Sequence, residues 1–218
     1  MFDLQFLADA FPVILESLGT TLWVTIASCA LAVVLGFMLE ILRRSSRQFG
    51  FVFRFVTDFI RSTPILVQIY FLYFVLPQFG VTLPALVIGV FSLGLYYSAY
   101  LAEVFKAGID AVPRGQTEAA QSLGLRWTDQ VVRVIMPQML RHIAAPMGNY
   151  FVSLLKATPY LAVIAVPEML GAALELGSDT FRYAEPMVAT EIIFLVLAIG
   201  IAQLVRVLEI RMMRSAKR

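Results

Sequence analysis

The stretch TEAAQSLGLRWTDQVVRVIMP, residues 117–137, is a polar segment in a chain that is otherwise strongly apolar. The chain has 218 residues, of which 60% are hydrophobic and 15% charged, and its mean hydropathy is +0.82. Soluble domains carry about 25% charged residues. The composition therefore predicts an integral membrane protein, in which a charged segment of this length needs a reason.

Hydropathy predicts five membrane spans, at about residues 13–42, 60–79, 83–107, 143–166 and 188–208. A helix needs about 20 apolar residues to cross a bilayer, and backbone groups in lipid must be paired within the segment. The expected fold class is therefore all-α integral membrane, a five-helix bundle forming one domain over residues 1–218, with a polar loop at about 108–142. The first apolar run is too long for a cleaved signal peptide and is expected to remain as a span.

Basic residues fall in alternate connections, and this pattern orients the bundle. Residues 1–42 contain no Lys or Arg but carry Asp3, Asp9, Glu16 and Glu40. The basic clusters are Arg43, Arg44, Arg47 and Arg54; then Lys106, Arg114, Arg126, Arg133 and Arg141; then Arg206, Arg211, Arg214, Lys217 and Arg218. Positive charge collects on the cytoplasmic side. The N-terminus is thus expected outside, and residues 117–137 and the C-terminus in the cytoplasm. The net charge of +2 gives no indication of nucleic acid binding.

Within the polar segment, Ala119, Ala120 and Leu123 recur at helical spacing, and Gly124 ends the run as a helix stop does. A second short helix is expected at residues 127–135, ended by Pro137. The pattern alone leaves two interpretations open. The first helix either docks on a partner or is an incidental amphipathic turn in a solvated loop.

The same residues resemble a known loop signature. Permeases of binding-protein-dependent ABC importers carry Glu-Ala-Ala, three residues, Gly, nine residues, Ile, one residue and Leu-Pro. This chain has Glu118-Ala119-Ala120, Gly124, Val134 and Met136-Pro137, with Val and Met replacing Ile and Leu. Residues 61–77, 98–116 and 154–170 look like the polar amino acid branch of that family, whose members handle histidine, glutamine, arginine, opines and ectoine.

The resemblance implies a type I ABC importer permease bundle in the bacterial inner membrane, with a cytoplasmic coupling helix at about residues 111–125. Glu118, Ala119, Ala120, Gly124 and Pro137 would couple it to a dimer of separate ATPase subunits, which bind ATP and Mg²⁺. The chain itself has no Gly-Lys pair, so it cannot form a Walker A loop. The other implied partners are membrane lipid, a second permease subunit (a paralogue or the same chain), a periplasmic solute-binding protein and a small polar amino acid-like substrate.

Four polar side chains at mid-span depth are candidates for the substrate pathway: Gln68, Ser98, Lys156 and Thr158. Polar groups are costly in a bilayer and mark a pathway by default. Each has a structural alternative, namely a hydrogen bond to a neighbouring helix or, for Lys156, a pair with Glu103. Where the related branch commonly has Asp, this chain has Ala157. The missing carboxylate puts strongly basic substrates in doubt, unless a paired subunit supplies the acid.

Three other functions are alternatives to the ABC importer permease. A secondary transporter or channel would favour inverted repeats, and no repeat is detectable in the sequence. A membrane-embedded enzyme is disfavoured because candidate catalytic residues are missing: the chain has one His, one Cys and no His-Glu-x-x-His motif. No metal site is expected. A purely structural subunit, whose paired permease alone contacts substrate, also stays open.

Overall fold

The computed structural model describes residues 2–214, with side chains to residue 211, so Lys217 and Arg218 lie outside the described residues. This part of the chain is helical throughout and contains no strand. The α-helices are α1 Leu4–Glu16, α2 Leu18–Ser45, α3 Arg47–Ser62, α4 Ile65–Tyr70, α5 Ala85–Asp110, α6 Arg114–Ser122, α7 Trp127–Asp129, α8 Met136–Leu155, α9 Met169–Thr180 and α10 Ala184–Arg214. π-Helical turns extend α4 (Phe71–Val75) and α7 (Gln130–Ile135), and 3₁₀ segments follow at Leu76–Phe79 and Thr158–Ile164.

Three helices are long and apolar enough to cross a membrane singly: Leu18–Ser45, Ala85–Asp110 and Ala184–Arg211. Two bent pairs pass the same test together. These are α3 with Ile65–Phe79, bent by 100°, and Trp127–Ile164 with α9, bent by 44°. The all-helical prediction is confirmed, and the described residues provide three to five spans, the higher number applying if each bent pair is one crossing.

The predicted first span, residues 13–42, is two helices rather than one. α1 begins after Asp3, whose side chain accepts hydrogen bonds from the backbone N–H groups of Gln5 and Phe6, and it ends before Ser17. α2 by itself is long and apolar enough to cross a membrane, while α1 packs on α9 and α10. Two apolar helices joined end to end have the same hydropathy as one long span, which is why the break was missed.

The predicted short helix ending at Pro137 is wrong. The chain is helical without interruption from Trp127 to Leu155, and Pro137 lies in the first turn of α8. Proline in a regular helix clashes with the carbonyl four residues earlier. Here a π-helical turn at Gln130–Ile135 precedes it, and the wider turn accommodates the ring. The polar loop predicted at 108–142 therefore reduces to α6 and its flanking turns.

The centre of the bundle is the long contact between α2 and α5. A Cβ built on Gly36 would lie 2.8 Å from the backbone oxygen of Ser98 and 3.0 Å from Cβ of Leu101. Small residues let membrane helices approach this closely. Apolar side chains buried on either side include Val24, Ala32, Leu93, Leu101 and Phe105. The α2–α5 pair therefore forms the core of the bundle, and this core positions the polar elements.

We expect Gly36→Val to destabilise the subunit, because the new side chain meets backbone that cannot rotate away. Overpacking of this kind costs about 1–3 kcal/mol. Thermal unfolding in mild detergent should therefore begin at a lower temperature. Gly19→Val is the matched control, since nothing lies within 4 Å of a Cβ at Gly19. Equal unfolding curves for the two variants would show that the α2–α5 contact is looser than described.

Candidate coupling surface and translocation face

α6 is held by few residues and leaves most of its surface free. Ala120 is its one buried residue, 3% exposed, and the helix contacts the π-helical turn Gln130–Ile135. Glu118 and Ala119 are exposed. Within the Glu-Ala-Ala signature, one alanine thus anchors the helix to its own chain, whereas the glutamate and the other alanine remain available.

Gly124 makes the turn that ends α6. Its φ is +71°, in the left-handed region that glycine adopts most easily, and the helix stop predicted at Gly124 is confirmed. The N–H of Gly124 donates to the oxygen of Gln121 (2.9 Å), and the N–H of Leu125 donates to that of Ala120 (3.2 Å). The paired bonds close the helix end as a left-handed cap does.

Gln130 secures the same turn from the other side. Its side-chain amide is buried and donates to the oxygen of Leu125 at 2.8 Å. Sequence patterns predict no role for this glutamine. The signal was a polar residue on the inward face of the following helix, six residues after the glycine.

Large apolar side chains stand exposed beside α6. Leu123 is 80% exposed and Trp127 61% exposed. Trp127 lines a cleft of about 1040 Å³ between α2, α5, α6 and α8, together with residues that include Arg44, Asp110 and Glu118. Apolar residues rimmed by charges are typical of a protein interaction surface. Pro137 is exposed too, but it lies in α8.

An ion-pair network joins the ends of α2 and α5 next to this cleft. Glu40 is 1% exposed and accepts hydrogen bonds from both Arg43 and Arg44. Arg43 Nη1 also lies 2.6 Å from Glu103 Oε1, and Arg44 Nη2 lies 2.6 Å from Asp110 Oδ1. Two expectations change. Glu40 pairs with the arginines of the basic end and does not mark the opposite side, and the partner of Glu103 is Arg43 rather than Lys156.

Three of the four predicted pathway residues have local partners. Gln68 Nε2 donates to the oxygens of Ile60 (2.8 Å) and Thr63, which fastens the bend between α3 and α4. Ser98 and Thr158 are fully buried, and each hydroxyl donates to a carbonyl three residues earlier. Polar side chains in apolar helices pair in this way when no other partner is near. In this conformation these groups hold the fold.

Lys156 is exposed, at the point where α8 ends and a 3₁₀ segment begins. Ser153, one turn earlier, is exposed as well. Beside them lies a cluster of tyrosines on α5 and α8, formed by Tyr96, Tyr97, Tyr100 and Tyr150. The hydroxyls of Tyr96 and Tyr100 are 3.1 Å apart, and that of Tyr97 donates to the backbone oxygen of Ser153 (3.0 Å). We name this surface the tyrosine face.

The hydropathy pattern does not reveal the tyrosine face, because tyrosine is counted there with the apolar residues. The signal was available, since Tyr96, Tyr97 and Tyr100 share one side of a single turn. Amphipathic rings with their hydroxyls paired among themselves can line a wet surface inside a membrane protein. Tyr96, Tyr100 and Tyr150 are half-buried and Tyr97 is buried, so the described chain covers this partly polar strip only in part.

At the other end of the bundle, Asp3, Arg182 and Glu185 form a second charged cluster. Arg182 pairs with Glu185 and lies 3.5 Å from Asp3, while the N–H of Asp3 donates to Glu185 Oε1 at 3.0 Å. The backbone hydrogen bonds from Gln5 and Phe6, followed by the charge of Arg182, lower the pKa of Asp3. No group of acidic, Cys or His residues able to hold a metal occurs in residues 2–214.

The described residues form a helical membrane protein whose short helix α6 stands exposed beside a charged cleft. The family of binding-protein-dependent transport system inner membrane components matches residues 32–214. A protein of Sinorhizobium fredii named as a probable amino-acid ABC transporter permease is 38% identical over 96% of this chain and 91% of its own length. The arginine transport system permease protein ArtQ of Bacillus subtilis is 32% identical over 86% of this chain and 87% of its own. A crystal structure of an amino acid ABC transporter with histidines has a TM-score of 0.88 at 33% identity, covering 97% of this chain and 99% of that one.

The chain therefore belongs to the family of inner-membrane permease components of binding-protein-dependent ABC importers. It has the type I importer permease fold and is a multi-pass protein of the inner membrane. In this family ATP hydrolysis lies in a separate ATPase subunit, and a substrate-binding protein is a further partner. The resemblance found in the sequence is confirmed, and the alternative of a channel or secondary transporter is set aside.

Proposed function

We propose that this chain is one of two permease subunits in an importer for a polar amino acid or a compound derived from one. The second subunit is either a paralogue or another copy of the chain. α6 docks on the ATPase, ATP and Mg²⁺ bind there, and this chain carries no cofactor. The substrate class is supported by three similar proteins: the probable amino-acid permease, the arginine permease, and the amino acid transporter whose structure is described as being with histidines.

The observation that carries the coupling role is the construction of α6. α6 is a short helix with one buried residue, an exposed Glu118 and a left-handed turn at Gly124. It therefore forms a small protruding surface of defined shape. Exposed Leu123 and Trp127 beside a wide cleft supply the apolar contacts of a helix-in-groove interface. When the ATPase closes on ATP, movement of α6 passes to α5 through the three-residue link 111–113 and to α8 through the turn that Gln130 secures.

The test is reconstitution of the whole importer. The chain is co-expressed with the ATPase and the second permease subunit of its own organism, purified in mild detergent and placed in vesicles loaded with ATP. Uptake of the twenty radiolabelled amino acids is then measured with the matching binding protein outside. ATP-dependent uptake of at least one polar amino acid supports the proposal. If none is taken up, an opine and ectoine are measured in the same way as amino-acid-derived compounds, and uptake of no member of either set contradicts it.

The orientation we propose has the N-terminus outside and α6 in the cytoplasm. Single cysteines are placed at Asp179 and at Arg126, both exposed, in a chain whose Cys29 is replaced by Ala. An impermeant maleimide added to intact cells should label position 179 only, and position 126 should react only after the membrane is opened. Labelling of position 126 alone in intact cells would show the opposite orientation. Labelling of both positions would contradict an odd number of membrane crossings between residues 126 and 179.

A further inference from the structure

α3 has an outer side that the described chain leaves uncovered. Phe51, Phe55 and Phe59 on this side are 74%, 65% and 60% exposed. They follow one another at intervals of four residues and therefore form a continuous apolar surface along the helix, which we name the phenylalanine strip. α3 packs on α2 and α5, and the residues it buries, Thr57 and Ile60, lie on another side of the helix. The phenylalanine strip thus needs an apolar neighbour from outside the described chain.

Two arginines border the upper end of the phenylalanine strip. Arg47 precedes Phe51 by four residues and Arg54 follows it by three, so both are its neighbours on the helix surface. Both arginines are exposed, and neither forms an ion pair within the part of the chain whose side chains are described. The next acid along the helix, Asp58, lies one turn beyond Arg54 and is 3.9 Å from Arg61. Residues 47–54 thus carry two positive charges and no acid.

Contacts near its two ends fix how α3 lies against the bundle. A Cβ built on Gly50 would be 2.9 Å from the backbone oxygen of Arg43, at the charged end of α2. Towards the other end, the guanidinium carbon of Arg61 lies 5.3 Å from the centre of the Tyr100 ring. Tyr100 is ten residues, or about 15 Å, from the end of α5 at Asp110, which is ion-paired to the charged end of α2. α3 therefore runs from the charged ends of α2 and α5 towards the middle of the membrane.

This course places the two arginines at the polar surface of the membrane and the phenylalanine strip below them. Arg47 lies before Gly50, and Arg54 lies four residues after it, about 6 Å deeper. An arginine side chain is long enough to bring its guanidinium back to the headgroups from that depth. A phospholipid has the same order of parts, with a phosphate at the surface and acyl chains beneath it.

The single sign of the charge selects the occupant. A second copy of the chain, docked here by a two-fold contact, would bring its own Arg47 and Arg54 to the same interface and no acid to pair with them. An anionic phospholipid supplies both the negative charge and the apolar chains. We propose that Arg47 and Arg54 bind the headgroup of an anionic phospholipid whose acyl chains lie along the phenylalanine strip. The inference does not depend on which solute the importer carries.

The experiment is photo-cross-linking in the assembled importer. Benzoylphenylalanine replaces Phe55, and the complex with the ATPase and the second permease subunit is placed in nanodiscs of phosphatidylcholine with a minor fraction of phosphatidylglycerol. One of the two lipids at a time carries an alkyne in its acyl chain, and the label on the permease chain is corrected for mole fraction. Because each arginine near an anionic headgroup contributes about fivefold in affinity, phosphatidylglycerol should be favoured by at least about tenfold.

The arginine variants test the source of this preference. Arg47→Gln and Arg54→Gln should each lower it about fivefold, and the double variant should bring it close to equal labelling. Arg206→Gln is the matched control, because Arg206 is an exposed arginine of α10 with Glu209 one turn later. It should leave the preference at position 55 unchanged. If the replacement of Phe55 does not assemble, the probe is placed at Phe59.

Equal labelling by the two lipids in the otherwise wild-type complex overturns the inference, and so does a preference that survives the double substitution. Absence of lipid label also overturns it, and a cross-link to a second protein chain in its place would show that a partner subunit covers α3. Each of these outcomes leaves the uptake measured with the wild-type importer, and with it the proposed function, unaffected.

Discussion

Replacing Gly124 by valine should abolish uptake and substrate-stimulated ATP hydrolysis while the protein still inserts into the membrane. The residue has φ +71°, and nothing lies within 4 Å of a Cβ at this position. The penalty is therefore one of backbone conformation, about 1–2 kcal/mol for a side-chain-bearing residue. The chain relieves it by opening the turn that sets the direction of α6. Glu118→Lys should have the same effect on transport by another route, since it reverses the charge of an exposed residue.

Both variants are compared with wild type for uptake, for ATPase activity with and without loaded binding protein, and for co-purification of the ATPase. Gly19→Val, in open space at the start of α2, controls for the substitution itself. Thr128→Ala is a suitable neighbour control because Thr128 is exposed. Gln130 is not suitable, because its side chain holds the turn. Normal coupling in both motif variants would mean that α6 does not transmit the ATPase motion.

Glu40→Leu should be the most destabilising single change in the membrane part of the chain. It leaves the Arg43 side chain, 8% exposed, with one partner instead of two. Removing one member of a buried ion pair typically costs about 3–5 kcal/mol. We expect a lower yield of membrane-inserted protein and a large fall in the unfolding temperature of the purified complex.

A double variant separates charge from packing. Glu40→Leu with Arg43→Leu removes one charge of each sign and should recover much of the lost stability, because apolar replacement of a buried pair is often close to neutral. Glu16→Leu, at an exposed position at the end of α1, should change little. A Glu40→Leu protein as stable as wild type would show that water reaches the network and that Arg43 is not desolvated.

The sequence was sufficient for the helical class, for the family and for the left-handed turn at Gly124, because each depends on local composition or on a short motif. It failed where two segments share one pattern. Hydropathy could not separate α1 from α2, and proline at 137 predicted an end that a π-helical turn avoids. The break between α1 and α2 and the π-helical turn before Pro137 both depend on local backbone conformation, which residue types constrain only weakly.

The candidate pathway was harder still. Gln68, Ser98 and Thr158 were selected because they are polar, but a polar side chain deep in a helix finds its nearest carbonyl first. Sequence patterns also could not place Arg61, in the last turn of α3, against α5. Its stacking on Tyr100 joins residues 39 positions apart, and no periodicity within one segment can indicate that.

The contact between the two ends of the chain has a consequence for biogenesis. α1 packs on α9 and α10, and the Asp3–Glu185 hydrogen bond joins residues 182 positions apart. During translation α1 leaves the ribosome well before both of its partners, which lie more than 150 residues further along the chain. Loop closure over such a distance carries a high entropic cost and comes late in folding. α1 thus reaches its final packing only after α10 has been made, and until α10 inserts, lipid or the insertion machinery must hold it.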